Sequence, residues 1–156
     1  MKDIIICNII AAAIAAAVII PLATAGAISY ETQQEAVYQA AHKGGNELRE
    51  VLSGGTNINT MDTKGDTSLI KAAANNEEDV VFLLLNNGAN VNIQNKNGRT
   101  ALMMAAEIGA TEIACMLLEA NADPNIRDKC GETALQKAEN AGHHDTAGLI
   151  GRSGGR

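Results

Sequence analysis

The sequence predicts an all-helical solenoid of about four stacked repeats, and three observations lead to this prediction. A pattern of Gly, a variable residue, Thr, a small residue and Leu begins at residues 65, 98 and 131, a fixed spacing of 33 residues. The apolar pair at residues 84–85 recurs in the same register at residues 117–118. Aromatic residues make up only 2% of the chain, which suits the stacking of Ala- and Leu-rich helices. A fixed period of this length is the sequence signature of a repeat architecture.

Each repeat is predicted to contain two short antiparallel helices. The first helix should begin after a Thr, because its side chain can accept a hydrogen bond from a free backbone N–H at the helix start; these residues are Thr67, Thr100 and Thr133. A polar turn then leads to a second, more apolar helix. That helix should end where Gly or Asn can adopt the left-handed backbone conformation, at Gly55, Gly88 and Asn121.

A loop of about ten residues leads from each second helix to the next repeat. An Asp or Asn lies three residues before the glycine of the pattern in each copy, at Asp62, Asn95 and Asp128. Such side chains hydrogen-bond to the backbone of their own turn, so each loop should form a tight, hairpin-like finger. Because one repeat cannot bury its own apolar helix, the repeats should stack and align their fingers along one rim.

The chain is predicted to consist of a leader, a repeat domain and a tail. The leader covers residues 1–27 and is expected to be a hydrophobic helix, the repeat domain covers 29–152, and a flexible tail covers 153–156. The four repeats cover about residues 29–59, 60–92, 93–125 and 126–152. The last helix, at residues 145–150, has lost apolar positions, as the end of a stack requires.

The pattern resembles the ankyrin repeat, which has 33 residues, a β-turn finger and two antiparallel helices. The family signature Thr-Pro-Leu-His-x-Ala corresponds here to residues 67–72, 100–105 and 133–138, where Thr, Leu and Ala match each time and Pro and His do not. The resemblance covers about residues 30–152. It implies a non-enzymatic, monomeric module that binds another protein of unknown identity.

The resemblance also implies where that partner would bind, because the family recognises partners through finger tips and the exposed side of the first helices. In the second repeat these positions are Thr63, Lys64, Asp66, Ala74 and Asn75. In the third they are Lys96, Asn97, Arg99, Glu107 and Ile108, and in the fourth they are Lys129, Cys130, Glu132, Asn140 and Ala141. These residues differ between copies whereas the framework does not. Ile108 is the most suggestive of them, since an apolar side chain stands there at an exposed position.

The N-terminal segment has the layout of a signal peptide. Residues 4–20 are apolar except Cys7 and Asn8, and they are followed by small residues at Ala-x-Ala spacing. A cleavage after Ala25 or Ala27 fits this layout. The alternatives are an uncleaved membrane anchor, since about 20 apolar residues can span a bilayer, and a buried helix of the soluble domain. A signal peptide or an anchor would place the repeats outside the cytoplasm, and a short, Ala-rich leader favours the bacterial periplasm over eukaryotic secretion.

Charge and motifs argue against several functions. A net charge of −6 weighs against binding nucleic acid or an anionic membrane surface, and favours a basic or neutral protein partner. The sequence contains no nucleophile elbow, zinc-protease motif or phosphate-binding loop. His143 and His144 are adjacent and would point apart on a helix, so no metal site or cofactor is expected.

Two cysteines support an alternative function. Cys115 and Cys130 are the thiols that remain after removal of the leader. An even number of cysteines in an exported protein favours a disulfide, but the repeat register should hold these two farther apart than the about 7 Å that a bridge allows. A redox or enzyme-accessory role using Cys115 or Cys130 is therefore one alternative, and a membrane-anchored structural scaffold is another.

Overall fold

The computed structural model describes residues 30–154 and shows a solenoid of four helix pairs in that part of the chain. The helices are α1 (Tyr30–Lys43), α2 (Gly45–Ser53), α3 (Ser68–Ala74), α4 (Glu78–Asn86), α5 (Ala101–Ile108), α6 (Thr111–Glu119), α7 (Ala134–Asn140) and α8 (His144–Ser153). The two helices of each repeat pack together, and each repeat packs against the next. The predicted helical solenoid is confirmed, and the predicted leader lies outside the described residues.

The first helices of the last three repeats begin at the predicted threonines. Each Thr side chain accepts a hydrogen bond from the backbone N–H three residues later, as the caps Thr67, Thr100 and Thr133 show. Thr133 and Gln136 form a reciprocal capping box. These bonds satisfy backbone donors that a helix start leaves free, and they confirm the predicted helix starts.

The second helices end as predicted, in residues with left-handed backbone: Gly55, Gly88 and Asn121. A second left-handed residue, not foreseen in the sequence, stands at the turn between the two helices of each later repeat: Asn76, Gly109 and Gly142. The residue after it donates its backbone N–H to a carbonyl five residues earlier, at 3.0 Å for Glu77 and 2.9 Å for both Ala110 and His143. This geometry closes the last helical turn and sends the chain back antiparallel.

Small and branched apolar side chains fill the core between the helices. The Ala pairs of the first helices, residues 72–73 and 105–106, are completely buried and allow close helix approach. At two of the three positions that carry His in the family signature, this chain has the buried Ile70 and Met103. At the third, Gln136 is exposed and belongs to the capping box of Thr133. Apolar packing therefore replaces a polar side chain at the first two positions only.

The structure modifies the predicted C-terminal boundary. Helix α8 extends to Ser153, three residues beyond the predicted end at Ile150. The Ser153 hydroxyl donates a hydrogen bond to the Leu149 carbonyl at 3.2 Å, so the first residue of the predicted tail is helical. None of the helices within residues 30–154 has the length and apolar character needed to cross a membrane.

Candidate functional site: the finger rim and the first-helix groove

Three loops with the same internal bonding form the fingers: finger 1 (residues 61–67), finger 2 (94–100) and finger 3 (127–133). In finger 1 one oxygen of Asp62 accepts the backbone N–H groups of Lys64 at 2.8 Å and Asp66 at 2.9 Å. Asn95 makes the same pair of bonds in finger 2, and Asp128 makes it in finger 3. The predicted turn caps are confirmed. Their repetition gives the three fingers one common backbone shape.

The fingers lie side by side and are bonded to one another. The backbone N–H of Lys96 donates to the carbonyl of Lys64, and that of Lys129 donates to the carbonyl of Asn97, both at 3.0 Å. The Asn95 amide also donates to a carboxylate oxygen of Asp66 at 2.7 Å. The predicted alignment of the fingers along a single rim is therefore confirmed.

A second ladder, missed in the sequence, joins the bases of the loops. The side-chain oxygen of Asn59 accepts the backbone N–H of Asn90, and that of Asn92 accepts the backbone N–H of Asp123, both at 2.8 Å. The signal that could have revealed it is an Asn recurring at the repeat spacing, at residues 59, 92 and 125. Together the two ladders hold the finger rim rigid, which preorganises it for contact with a partner.

The groove formed by the first helices begins with a polar cluster at the junction of repeats one and two. The Tyr38 hydroxyl donates to the Glu77 carboxylate at 2.8 Å and accepts from the Asn75 amide at 2.8 Å. His42 lies 3.1 Å from the same carboxylate, and Lys71 lies 4.3 Å from the centre of the Tyr38 ring. Burial, followed by the hydrogen bond to Glu77, raises the pKa of Tyr38 to about 12. The predicted Asn75 is thus bonded to two groove residues that the sequence did not reveal, Tyr38 and Glu77.

The middle of the groove is more apolar. Ile108, at the end of α5, is 41% exposed, and Met104, one turn earlier, is half-buried. Arg99 of finger 2 pairs with Glu107 at 2.8 Å. This ion pair joins the residues before α5 to the last turn of the same helix. The third repeat therefore offers an apolar surface bordered by an ion pair.

The fourth repeat contributes a buried ion cluster. Lys137 lies 2.8 Å from Asp128 and 2.9 Å from Glu132, and Asn140 donates to Glu132 at 2.9 Å. The hydrogen bond from Lys137 holds the pKa of Asp128 below its ordinary value. Burial lowers the pKa of Lys137, but its two carboxylate partners outweigh burial and raise it. The structure thus brings the predicted Glu132 and Asn140 together around a lysine that was not predicted.

The fifteen predicted binding residues lie on the fingers, the first helices and the turns that follow them. Eleven are exposed, and four are half-buried: Asp66, Ala74, Arg99 and Glu132. The surface combines the basic tips, the apolar middle and the polar ends of the groove, an arrangement able to contact an extended partner at many points. Within residues 30–154, no group of three or more His, Cys, Asp or Glu side chains is arranged to hold a metal ion.

The two cysteines occupy separate parts of the solenoid. Cys130 is exposed at the tip of finger 3, and Cys115 is half-buried on α6; both are free thiols. Burial and the neighbouring Glu119, whose carboxylate lies 3.8 Å from the Cys115 sulfur, raise the pKa of that thiol. A raised pKa disfavours the thiolate that redox chemistry requires, so the environment of Cys115 does not favour the redox alternative.

Comparison with known families adds an independent finding. A family model described as ankyrin repeats (3 copies) matches residues 37–128, which is more than half of the 156-residue chain. The matched region runs from the middle of α1 to finger 3. No individual curated protein matches the sequence.

Proposed function

Because the chain belongs to the ankyrin repeat family, we propose that it is an exported, non-enzymatic module that binds another protein through its finger rim and first-helix groove. Ankyrin repeats are in general protein–protein interaction modules. We further propose which surface makes the contact and in which compartment the protein acts. We expect one copy of this chain to bind one protein partner from the same compartment.

A contrast between framework and exposed positions carries the proposal. Every finger repeats the same turn-capping bonds, as Asp62, Asn95 and Asp128 show. The exposed residues nevertheless differ from copy to copy, as Thr63 and Lys96 do in the fingers and Asn75 and Ile108 do at the ends of the first helices. In such an arrangement the rigid scaffold provides the shape of the binding surface, and the variable contact residues provide its specificity.

The centre of the groove is the best place to test binding. Ile108 combines exposure with apolar character, and the planar cation of Arg99 pairs with Glu107, the residue before it. Such side chains are the types that contribute most at protein interfaces. The double substitution Arg99→Ala and Ile108→Ala should weaken capture of the partner from extracts of the native compartment. The expected loss is at least tenfold, equivalent to about 1.4 kcal/mol.

A matched control exists on the outer side of the solenoid. Arg49 and Phe82 are exposed and occupy equivalent positions on the second helices α2 and α4. The double substitution Arg49→Ala and Phe82→Ala removes the same kinds of side chain, and it should leave capture within about twofold. Both variants should keep the helical circular-dichroism signal. Equal capture by the groove variant and the wild type would remove the assignment of the groove.

The export proposal rests on the leader at residues 1–27, with its apolar run and its Ala-x-Ala spacing. Edman sequencing of the chain purified from its native cells should find a mature N-terminus at residue 26 or 28. A chain that begins at Met1 and fractionates with membranes would instead support the anchored scaffold. An intact chain in the cytosol would contradict export.

A further inference from the structure

The acidic side chains of the fingers are all bonded within the protein. Asp62 and Asp128 each accept two backbone N–H groups of their own turns. Asp66 accepts the amide of Asn95, and Glu132 is held by Lys137 and Asn140. All four carboxylates keep their charge, but they are turned toward donors of the solenoid, and Asp128 and Glu132 share the cation of Lys137.

The lysines of the finger tips have no such partners among the described residues. Lys64, Lys96 and Lys129, which we call the lysine ridge, are exposed and make no ion pair within the described residues. Arg127 of finger 3 is also exposed, and its guanidinium donates to the Gly131 carbonyl at 2.7 Å. The three fingers together carry five basic and four acidic side chains, so the finger rim has a small positive charge although the chain carries a net charge of −6.

Backbone bonds keep the lysines close together. Lys96 is bonded to Lys64 across the first pair of fingers, and Lys129 is bonded to Asn97, the residue after Lys96, across the second. Like charges held side by side on a rigid support repel one another. An anion that lies across the fingers would relieve this repulsion, whereas free side chains on a flexible loop would simply move apart.

Acidic side chains also gather at the other end of the helices. Glu78, Asp79, Glu112 and Asp145 occupy the first turns of the second helices. The first helix of each repeat leads away from its finger. The link to the second helix, and the first turn of that helix, therefore lie at the end opposite the finger. The solenoid is thus weakly basic along the finger rim and acidic along the opposite edge, which orients an approaching charged partner.

From this charge separation we infer that the partner contacts the lysine ridge with an acidic, extended segment of its chain. The inference rests on the proposed function, because it names the chemistry of the partner at the same surface. Three fingers span two repeat spacings of about 8–10 Å, so about six residues of an extended chain cross them. A protein segment is favoured over nucleic acid because the surrounding solenoid is acidic.

A peptide titration of the full chain tests this inference. The probe is an end-blocked octapeptide of four Glu-Ala pairs, in which all glutamates of an extended chain face one side. Added to the ¹⁵N-labelled protein at low salt, it should shift the backbone amide resonances of Lys64, Lys96 and Lys129. The matching Gln-Ala octapeptide should leave them in place, and 1 M salt should abolish the shifts, because it shortens the screening length to about 3 Å.

Substitution of the ridge gives the decisive comparison. An exposed ion pair contributes a factor of up to about five in binding, so Lys64→Gln, Lys96→Gln and Lys129→Gln together should weaken peptide binding roughly ten- to a hundredfold. The control carries Lys43→Gln, Arg49→Gln and Arg152→Gln, which remove the same charge from exposed helix positions. Its peptide affinity should stay within about twofold of the wild type.

Four results would overturn the inference. They are equal peptide binding by the ridge variant and the wild type, an equal loss in the control, tighter binding of a single-stranded DNA octamer than of the peptide, and wild-type dimers by light scattering that the ridge variant lacks. Capture of the native partner separates this inference from the proposed function. If the ridge variant captures it normally while the groove variant at Arg99 and Ile108 does not, the partner is not acidic but the binding function stands.

Discussion

At the scale of single residues, Lys137 shows how one repeat departs from the common pattern and what that departure requires. Met104 occupies the equivalent position in the third repeat, and Asn95 occupies the position of Asp128. The third repeat therefore has neutral residues at the two positions where the fourth repeat has a buried ion pair. Lys137 and Asp128 are 5% and 7% exposed, respectively, so each charge depends on its partner.

We predict that Lys137→Met alone will destabilise the protein by about 3–5 kcal/mol, because it leaves the Asp128 carboxylate buried without its cation. Adding Asp128→Asn should restore most of this loss, since the double variant carries the Asn and Met of the third repeat. Urea unfolding of the wild type, the single variant and the double variant measures both effects. Additive losses in the double variant would show that the ion pair is not the cause.

The same pair sets the pH dependence of stability. The pKa of Asp128 is lowered in the folded state, so its contribution is present above the ordinary value of 3.8 and is lost as the pH falls through the folded value. The pKa of Lys137 is raised, so its contribution is present below 10.5 and is lost as the pH rises through the folded value. Between these limits, the free energies of unfolding of the wild type and the double variant should therefore differ by a constant amount. Beyond them, the wild type alone should lose the contribution of the pair.

At the scale of elements, the fingers depend on close contact as well as on turn geometry. Gly98 has a φ of +75°, and a Cβ there would lie 2.9 Å from the backbone nitrogen of Lys129. Gly88, at the end of α4, has a φ of +83° but no atom within 4 Å of such a Cβ. Both glycines adopt the left-handed backbone conformation, but only Gly98 also leaves room for the next finger to approach.

We predict that Gly98→Ala costs more stability than Gly88→Ala. The second change should cost about 1–2 kcal/mol, the penalty for a side chain in the left-handed region. The first adds the displacement of finger 3 and the loss of the bond from Lys129 to Asn97, worth about 1 kcal/mol. Thermal unfolding compares the two variants, and faster amide exchange at Lys129 in the Gly98→Ala protein alone would identify the cause. Equal losses, with Lys129 unaffected, would contradict the role given to finger contact.

At the scale of the whole molecule, stability should vary along the solenoid, because each repeat packs chiefly on its sequence neighbours. Helices α5 and α6 have a packed repeat on both sides, whereas α7 and α8 contact the third repeat on one side only. Ile113 and Leu117 of α6 are completely buried. The middle of the stack is thus held by two interfaces and the last repeat by one.

We predict that amide hydrogen exchange will be slowest in α5 and α6 and faster in α8, since the last repeat can open without breaking an interface beyond it. Native-state exchange followed by NMR measures the opening free energy of each helix. Leu117→Ala, which opens a cavity in the middle, should lower protection across both neighbouring repeats. Uniform protection along the chain would indicate that the solenoid unfolds as one cooperative unit instead.

Much of this architecture could be predicted from local pattern. The cap at Thr100, the left-handed residue Asn121 and the turn cap at Asp128 each depend on a few neighbouring residues, and each recurs at the same spacing. Local rules are sufficient for such features because the interacting atoms lie within one turn or one repeat. The exposure of Ile108 is instead implied by the resemblance to the family, which places this apolar residue on the exposed side of its helix.

The sequence by itself determined the repeat, its two helices, its finger and the end-to-end stacking, because backbone chemistry and apolar periodicity repeat every 33 residues. Only the tertiary structure decided which side chains meet across repeats, such as Tyr38 with Glu77, 39 positions apart. It also decided which charges are paired: Lys137 holds Asp128 and Glu132, whereas Lys96 and Lys129 make no ion pair with any residue that the structure describes. Those pairings depend on distances between separate helices and fingers, which composition and spacing do not contain.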